Sequence, residues 1–294
     1  MGCGKGADIN KFNYERISGY VGMDISMGQL IDALNRRVKS QFRFPTLFIK
    51  EKGQANPEVF AKHLPKDFKF NIISAQFCIH YFFDCEDSVR NFLMNISSNL
   101  SKNGLFFATF PDSKVIAKKF LTSAKKTPEG LRYIGNDYYS VITSIRNFGK
   151  LKTAFGNKYG FFLEDGLIGS VRRSEETVTR MHIPEYLILS DYFIELAKEY
   201  DLEVVLDQNF HTFYAENIHD YVDLFKKIGF NRNKGERLMD DSLWECSYLY
   251  KILMLRKTSG ERIRKHSRER FQRDSYWEIK NDYDDLYSSD EGIN

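Results

Sequence analysis

The residues Gly2-Cys3-Gly4-Lys5-Gly6-Ala7-Asp8 read as a glycine-rich turn. Such turns leave a buried strand and open a helix, so that backbone N–H groups face a ligand. Glycine suits them because they need open φ values and close approach of the ligand to the backbone. Beyond Asp8, the run Tyr20-Val21-Gly22-Met23-Asp24 has the look of a short buried strand ending in a carboxylate. A glycine turn followed about 20 residues later by an acid is an arrangement that holds a nucleoside ribose. Three readings stay open on this stretch alone. Gly2, Gly4 and Ala7 fit the dinucleotide pattern G-x-G-x-x-A. The tighter G-x-G-x-G spacing of Gly2, Gly4 and Gly6 fits an S-adenosylmethionine loop better. An ordinary glycine turn is the third.

Working outward, the chain opens on Met1, directly at the turn, where a strand is expected. The expectation is a sheet whose usual central first strand is missing or truncated. Downstream, Ser26 suits a helix N-cap, and Leu30, Leu34 and Val38 recur at helical spacing. Thr46-Leu47-Phe48-Ile49 and Asn71-Ile72-Ile73-Ser74-Ala75 read as strands, the latter running into Gln76-Phe77-Cys78-Ile79-His80-Tyr81. Val89, Phe92, Leu93, Ile96 and Leu100 mark one helix face, with Asn103-Gly104 as its C-cap. Leu105 to Phe110 is the next strand, closed by Pro111. Helices follow around Tyr192–Tyr200 and around Ile218, Tyr221, Val222 and Phe225. Leu202 to Leu206 and Ser247 to Leu255 read as strands. Alternating strands and helices predict an α/β protein with a doubly wound, mostly parallel, Rossmann-like sheet.

The rhythm breaks over residues 112–182, which hold seven glycines from Gly130 to Gly169 and many aromatics. This segment reads as an insertion of loops and strands lying over the C-terminal edge of the sheet. From Thr258 the composition changes again. Arg262, Arg264, Lys265, Arg268, Arg270 and Arg273 precede Asp282, Asp284, Asp285, Asp290 and Glu291. Residues 258–294 are therefore expected to be a charged, flexible tail.

Composition excludes several classes. With 42% hydrophobic residues and 294 positions, the chain has enough material for a sizeable core. No apolar run is long enough to span a bilayer, and no secretory signal pattern opens the chain. The net charge of +3 does not by itself argue for nucleic acid. Cys3, Cys78, Cys85 and Cys246 form no C-x-x-C pair, so neither a metal site nor a disulfide framework is expected.

Ligands of doubly wound sheets sit beyond the carboxyl ends of the strands. The glycine turn, Asp24, the Gln76–Tyr81 run, Pro111 and the insertion all fall there. With these residues the chain resembles the mRNA cap guanine-N7 methyltransferase family. The resemblance covers roughly residues 1–257. It is carried by the glycine loop, by Val21-Gly22-Met23-Asp24-Ile25-Ser26 and by Ser74-Ala75-Gln76-Phe77-Cys78-Ile79-His80-Tyr81. Phe110-Pro111-Asp112-Ser113, Phe155-Gly156-Asn157-Lys158-Tyr159, Ile183-Pro184-Glu185-Tyr186 and Phe210-His211-Thr212-Phe213-Tyr214 extend it. The Gln-Phe-x-x-His-Tyr run is its most specific element.

The resemblance implies that residues 1–257 form a catalytic domain, with residues 112–182 as a cap-binding insertion or lid. It implies S-adenosylmethionine as methyl donor, held by Gly2, Gly4, Asp8 and Asp24, with Gln76 and Phe77 beside it. The family's adenine-side Asp has no direct match, and Glu51 stands in after a one-residue shift. The family's lysine upstream of the first strand lies outside the sequence. Lys5, Phe77, His80, Tyr81, Pro111, Glu185 and Tyr250 would form the guanosine pocket. His80, Tyr81 and Glu185 would position the base, with no general base and no metal. The implied partners are the 5′ end of capped RNA (GpppN) and, beyond it, an RNA guanylyltransferase or the transcription machinery, with no membrane. The implied location is the nucleus, or the cytoplasm for a viral chain. Two further functions compete: a weak or inactive cap-binding module, and a methyltransferase for another substrate.

Overall fold

A computed structural model describes residues 1–13, 17–40, 44–65, 67–164, 170–173, 178–227, 241–260 and 279–281. The helices are α1 (Ile9–Asn13), α2 (Met27–Lys39), α3 (Pro57–Lys62), α4 (Glu86–Asn99), α5 (Ser113–Thr122), α6 (Ser190–Lys198), α7 (Phe210–Asn217), α8 (Val222–Lys227) and α9 (Asp241–Ser247). The strands of the main layer are β1 (Tyr20–Asp24), β2 (Thr46–Lys50), β3 (Phe70–Gln76), β4 (Leu100–Pro111), β12 (Leu202–Asn209) and β13 (Tyr250–Lys257). Between them lie β5 (Lys125–Lys126), β6 (Arg132–Gly135), β7 (Tyr139–Thr143), β8 (Lys158–Leu163), β9 (Ser170–Arg173), β10 (Val178–Met181) and β11 (Ile183–Tyr186). A last short strand, β14 (Ile279–Asn281), lies in the tail.

The main layer is an α/β arrangement in two parts. One runs β12-β13-β4-β3, and the other runs β1-β2-β14. The pairs β1–β2, β2–β14 and β3–β4 are parallel, while β13 runs antiparallel to both β4 and β12. One face of strand β4 is fully buried. Phe106, Ala108 and Phe110 pack with Val89, Phe92, Leu93 and Ile96 of α4 and with Phe193, Leu196 and Ala197 of α6. A separate core joins α5 to the insertion through Ile116, Phe120, Val141, Phe161, Leu249 and Tyr250.

A seam separates the two parts. Strands β1 and β3 do not pair, and between them lies a cavity of about 260 Å³ bordered by Val21, Met23, Phe70, Ile73 and Ser74. Met1 to Cys3 crosses it. The Met1 ammonium donates to the Ser74 carbonyl (2.8 Å), and the Cys3 amide donates to the Met23 carbonyl (2.8 Å).

Several local expectations change. Ser26 does cap α2, its Oγ accepting from the Gln29 amide (3.4 Å). The buried face of α2 is nevertheless Leu30, Ala33 and Arg37, while Val38 is 57% exposed. Arg37 takes that place because its guanidinium reaches Thr46 Oγ1 and the Phe44 carbonyl, both at 3.0 Å. Helix α4 ends at Asn99, and Asn103 adopts φ of 64° within β4 instead of capping the helix. Residues 241–247 are α9, so the last strand starts at Tyr250 rather than at Ser247. The Phe210–Tyr214 run is helix α7, and the helix read around Ile218 is two short ones, α7 and α8.

The segment read as an insertion begins with α5. It then builds the antiparallel sheet β11-β8-β7-β6-β5, which includes Ile183–Tyr186, and the separate hairpin β9–β10. Gly166, Gly169 and the basic and acidic runs of the tail lie outside the described residues. Within the tail, β14 pairs with β2.

Asn95 is a side-chain clamp across the two parts. It is fully buried on α4, and its Nδ2 donates to the carbonyls of Gly53 (3.1 Å) and Ala55 (2.8 Å) in the loop after β2. Removing a buried donor strands its acceptors, at a cost of about 1–3 kcal/mol. Asn95→Ala is therefore expected to lower the urea midpoint by a corresponding amount with an unchanged slope, measured by equilibrium unfolding. A midpoint equal to wild type would refute the clamp.

Candidate active site

The glycine loop is shaped by its backbone. Gly2, Gly4 and Gly6 have φ of 61°, 49° and 67°, values that side-chain-bearing residues rarely adopt. A Cβ on Gly2 would sit 2.7 Å from Cys78 Sγ, and one on Gly6 would sit 2.8 Å from Ile9 Cδ1. At Gly4 the only neighbour of such a Cβ would be Gln29 Oε1, at 3.8 Å, so that side of the loop is open. Gln29 Oε1 is itself buried and accepts no hydrogen bond among the described residues.

Asp24, at the end of β1, ties this loop down. Its Oδ2 accepts from the Gly4 amide (2.8 Å), and its Oδ1 accepts from the Ser26 amide (3.0 Å). Each carboxylate oxygen keeps a second lone pair, so the acid retains acceptor capacity for the hydroxyls of a ribose. An open glycine cradle, an unsatisfied buried acceptor and this acid together fit a nucleoside donor such as S-adenosylmethionine.

The remaining cofactor-side candidates are less direct. Asp8 accepts from Lys11 Nζ (2.6 Å) and borders the seam cavity. Glu51 follows β2; its amide donates to the Asp24 carbonyl (3.2 Å), and its Oε2 lies 3.7 Å from the buried His63 Nε2. Gln76 ends β3 and spends its amide on neighbours. Its Nε2 donates to Ser74 Oγ (3.0 Å), and its Oε1 accepts from Thr109 Oγ1 (3.0 Å). Lys5 has its ammonium 3.3 Å from Asp32 on α2, and both side chains are half-exposed.

Phe77 carries strain. It adopts φ of 52°, held by its amide donating to the Thr109 carbonyl (2.9 Å). A non-glycine residue there costs on the order of 1–3 kcal/mol, and such strain clusters at functional sites. The turn lifts the ring outward, where it is 43% exposed and meets Tyr250 edge-on at 5.1 Å and Phe210 at 6.2 Å. Tyr250 starts β13 and is paired in register with Pro111, the last residue of β4. Burial holds the Tyr250 hydroxyl protonated.

Behind these rings lies a buried polar cluster. Glu185 on β11 is 1% exposed and stands in register with Tyr159 on β8, whose hydroxyl donates to Glu185 Oε2 (2.6 Å). His80, also 1% exposed, sits on the 3-10 turn Ile79–Phe82, with its Nε2 3.4 Å from Glu185 Oε1. Tyr81 stacks at a tilt on His80 with ring centres 4.3 Å apart.

The His80–Glu185 approach is not an ion pair. An ion pair would raise the histidine and lower the acid. Instead burial pushes His80 down to about 3, and burial pushes Glu185 up to about 7, only partly offset by the Tyr159 hydrogen bond. His80 is therefore neutral near pH 7, and Glu185 is poised between its two forms. Glu185 Oε1 and both His80 ring nitrogens make no hydrogen bond among the described residues. Three buried polar atoms left unpaired at one spot mark a place built for a ligand with its own donors and acceptors.

The structure thus gathers Phe77, His80, Tyr81, Pro111, Glu185 and Tyr250. Sequence reasoning gives no role to Tyr159 or Phe210, although both fall in the motifs it singles out. The register between β8 and β11 is what brings Tyr159 to Glu185. Gln29 was also missed; its only signal is its place in the first turn of the helix after Asp24. Among the described residues no cluster of His, Cys, Asp and Glu is arranged to hold a metal.

The family described as the mRNA (guanine-N(7))-methyltransferase domain matches residues 1–258. The chain is 32% identical over 273 residues to mRNA cap guanine-N(7) methyltransferase 1 of Arabidopsis thaliana, covering 87% of this chain and 68% of that protein. It is 31% identical over 271 residues to the protein of the same name from Oryza sativa subsp. japonica, with the same two coverages. It is 29% identical over 269 residues to the mRNA cap guanine-N(7) methyltransferase of Saccharomyces cerevisiae, covering 87% of this chain and 58% of the yeast protein. With a match that runs from the glycine loop through the final strand of the main sheet, the chain belongs to the mRNA (guanine-N(7))-methyltransferase domain family.

Proposed function

We propose that this chain transfers a methyl group from S-adenosylmethionine to N7 of the guanosine cap at mRNA 5′ ends. The observation that carries the reading is Glu185, a buried carboxylate aligned by Tyr159, with one oxygen left without a partner. S-adenosylmethionine supplies a methyl group on a positively charged sulfur, activated for attack by a lone pair. Guanine N7 has such a lone pair and needs no general base. The residues therefore have to hold and orient the purine, and orientation alone removes up to about 7–11 kcal/mol of barrier.

Ionised Glu185 accepts from the guanine N1–H and from its 2-amino group. Adenine lacks that pair of donors, so the same contact selects the base. Methylation leaves a positive charge on the purine, and a buried carboxylate beside it stabilises that charge more strongly than water does. Neutral His80 adds a hydrogen-bonding ring without a competing positive charge. Phe77 and Tyr250 offer flat faces to the purine. Methyl transfer from labelled S-adenosylmethionine to GpppG-capped RNA tests the reading directly, and no transfer to that acceptor would overturn it.

Two outcomes follow from Glu185. Its raised pKa means that the protonated form dominates below about 7 and that the accepting form appears above it. The value of kcat/KM for capped RNA is expected to rise with pH and level off past about 7. Glu185→Gln should lower kcat/KM by roughly 10²–10⁴-fold and remove that rise. S-adenosylmethionine affinity, measured by calorimetry, should be unchanged.

The linkage to stability has the opposite sense. An acid with a raised folded-state pKa contributes stability that is complete below 4.5 and lost as pH climbs through about 7. Glu185→Gln is therefore expected to match wild type near pH 4.5 and to exceed it by on the order of 1–3 kcal/mol at pH 8 in chemical unfolding.

A further inference from the structure

We propose that the exposed indole of Trp244 is a stacking platform for the base of the nucleotide next to the cap, the N of GpppN. The inference rests on the reading of the guanosine site above and extends it by one nucleotide.

Phe210, the first residue of α7, belongs to the ring cluster of the guanosine side, 6.2 Å from Phe77 and 5.8 Å from Tyr250. The next residue, His211, leaves that cluster and lies flat on Trp244, with ring centres 4.0 Å apart and planes 13° apart. Tyr214 meets the indole edge-on at 5.2 Å, and Tyr248 lies 4.9 Å from His211. Two consecutive residues of α7 thus belong to two aromatic clusters, Phe210 to that of the guanosine side and His211 to that on α9.

Trp244 sits six positions before Tyr250, three of them helical steps. This keeps their Cα atoms within about 15 Å of one another. A base joined to the cap through a triphosphate lies at a comparable remove from the guanine.

The backbone that carries the indole is held firmly, and one face of the ring rests on His211. His211 Nε2 is 2.9 Å from the Trp244 carbonyl and 2.9 Å from Ser247 Oγ. Ser247 Oγ in turn donates to the Trp244 carbonyl (2.7 Å). On the same helix, Glu245 accepts from Asn136 Nδ2 (3.2 Å) and from Tyr139 OH (3.2 Å). Despite these restraints Trp244 remains 36% exposed. A large flat ring fixed in one orientation and open to solvent stacks a partner at little ordering cost. Every nucleobase has a suitable face, so the platform serves capped RNAs of any first nucleotide.

The chain contains two tryptophans, Trp244 and Trp277, so Trp277→Phe leaves a single fluorescent reporter. In that variant GpppG is expected to quench the emission. GTP, which presents guanosine and triphosphate without a second nucleoside, is expected to leave it unchanged. Trp244→Ala in the full chain should raise KM for capped RNA roughly 10-fold while sparing kcat, KM for GTP as methyl acceptor and S-adenosylmethionine affinity. Trp244→Phe should recover most of the loss, and thermal unfolding of both variants reports on folding. Equal quenching by GpppG and GTP, or equal KM increases for capped RNA and GTP, would overturn the platform. Absence of all methyl transfer would strike at the guanosine reading instead, whereas transfer with no difference between GpppG and GTP would strike at this inference alone.

Discussion

A carboxylate that is 1% exposed and poised near pH 7 is the constraint around which the proposed guanosine side is arranged. Removing Glu185 from water is tolerable only because one of its oxygens has Tyr159 and because the acid keeps its proton part of the time. Burial penalises charge on His80 for the same reason, so the two groups sit 3.4 Å apart without neutralising one another. The arrangement holds back its hydrogen-bonding capacity until a donor arrives. That reserve is what distinguishes a recognition site from a structural ion pair, in which each group lowers the other's need for anything else.

Strand β4 supplies the rigidity this requires. It pairs with β3 on one side and β13 on the other, and packs α4 and α6 against Phe106, Ala108 and Phe110. At its C-terminal end Thr109 accepts from the Phe77 amide and donates to Gln76, while Pro111 stands opposite Tyr250. The strained turn at Phe77 persists because these neighbours over-determine it. The ring that leans on Tyr250 is therefore placed by the C-terminal end of β4.

How far these features can be read from the sequence depends on the distance over which each is decided. The association of the glycine turn with Asp24 was legible, because turn, strand and acid follow within one supersecondary unit, whereas the hydrogen bond from the Gly4 amide to Asp24 was not. The identity of Glu185 was legible only through family resemblance. Nothing in Ile183-Pro184-Glu185-Tyr186 shows that the acid is buried, and its partner Tyr159 is set by an antiparallel register. The contact of Lys5 with Asp32 was not legible, because residue type alone cannot say that Asp32 lies on the neighbouring helix. The same limit turned the face of α2. Arg37 outranks Val38 inside because Thr46 and Phe44 offer acceptors, a fact fixed by tertiary contact. The start of β13 was placed early because Tyr248, Leu249 and Tyr250 read as one apolar run, although the first two form the turn after α9.

The two proposed ligand sides are carried by different groups of strands. The guanosine side is carried by β3, β4, β13 and the insertion, which share continuous hydrogen bonding or core. The cofactor side is carried by β1, β2 and the glycine loop, which reach the rest through Met1 to Cys3, through Asn95 and through side-chain packing such as Phe82 against Gly53. Methyl transfer needs donor and acceptor in line, so the relative position of the two parts is itself a catalytic variable. A nucleoside donor that touches both the Gly4–Asp24 loop and the end of β3 bridges the seam. Its binding energy would then be spent partly on fixing that position, which raises the rate of the chemical step as well as occupancy of the site.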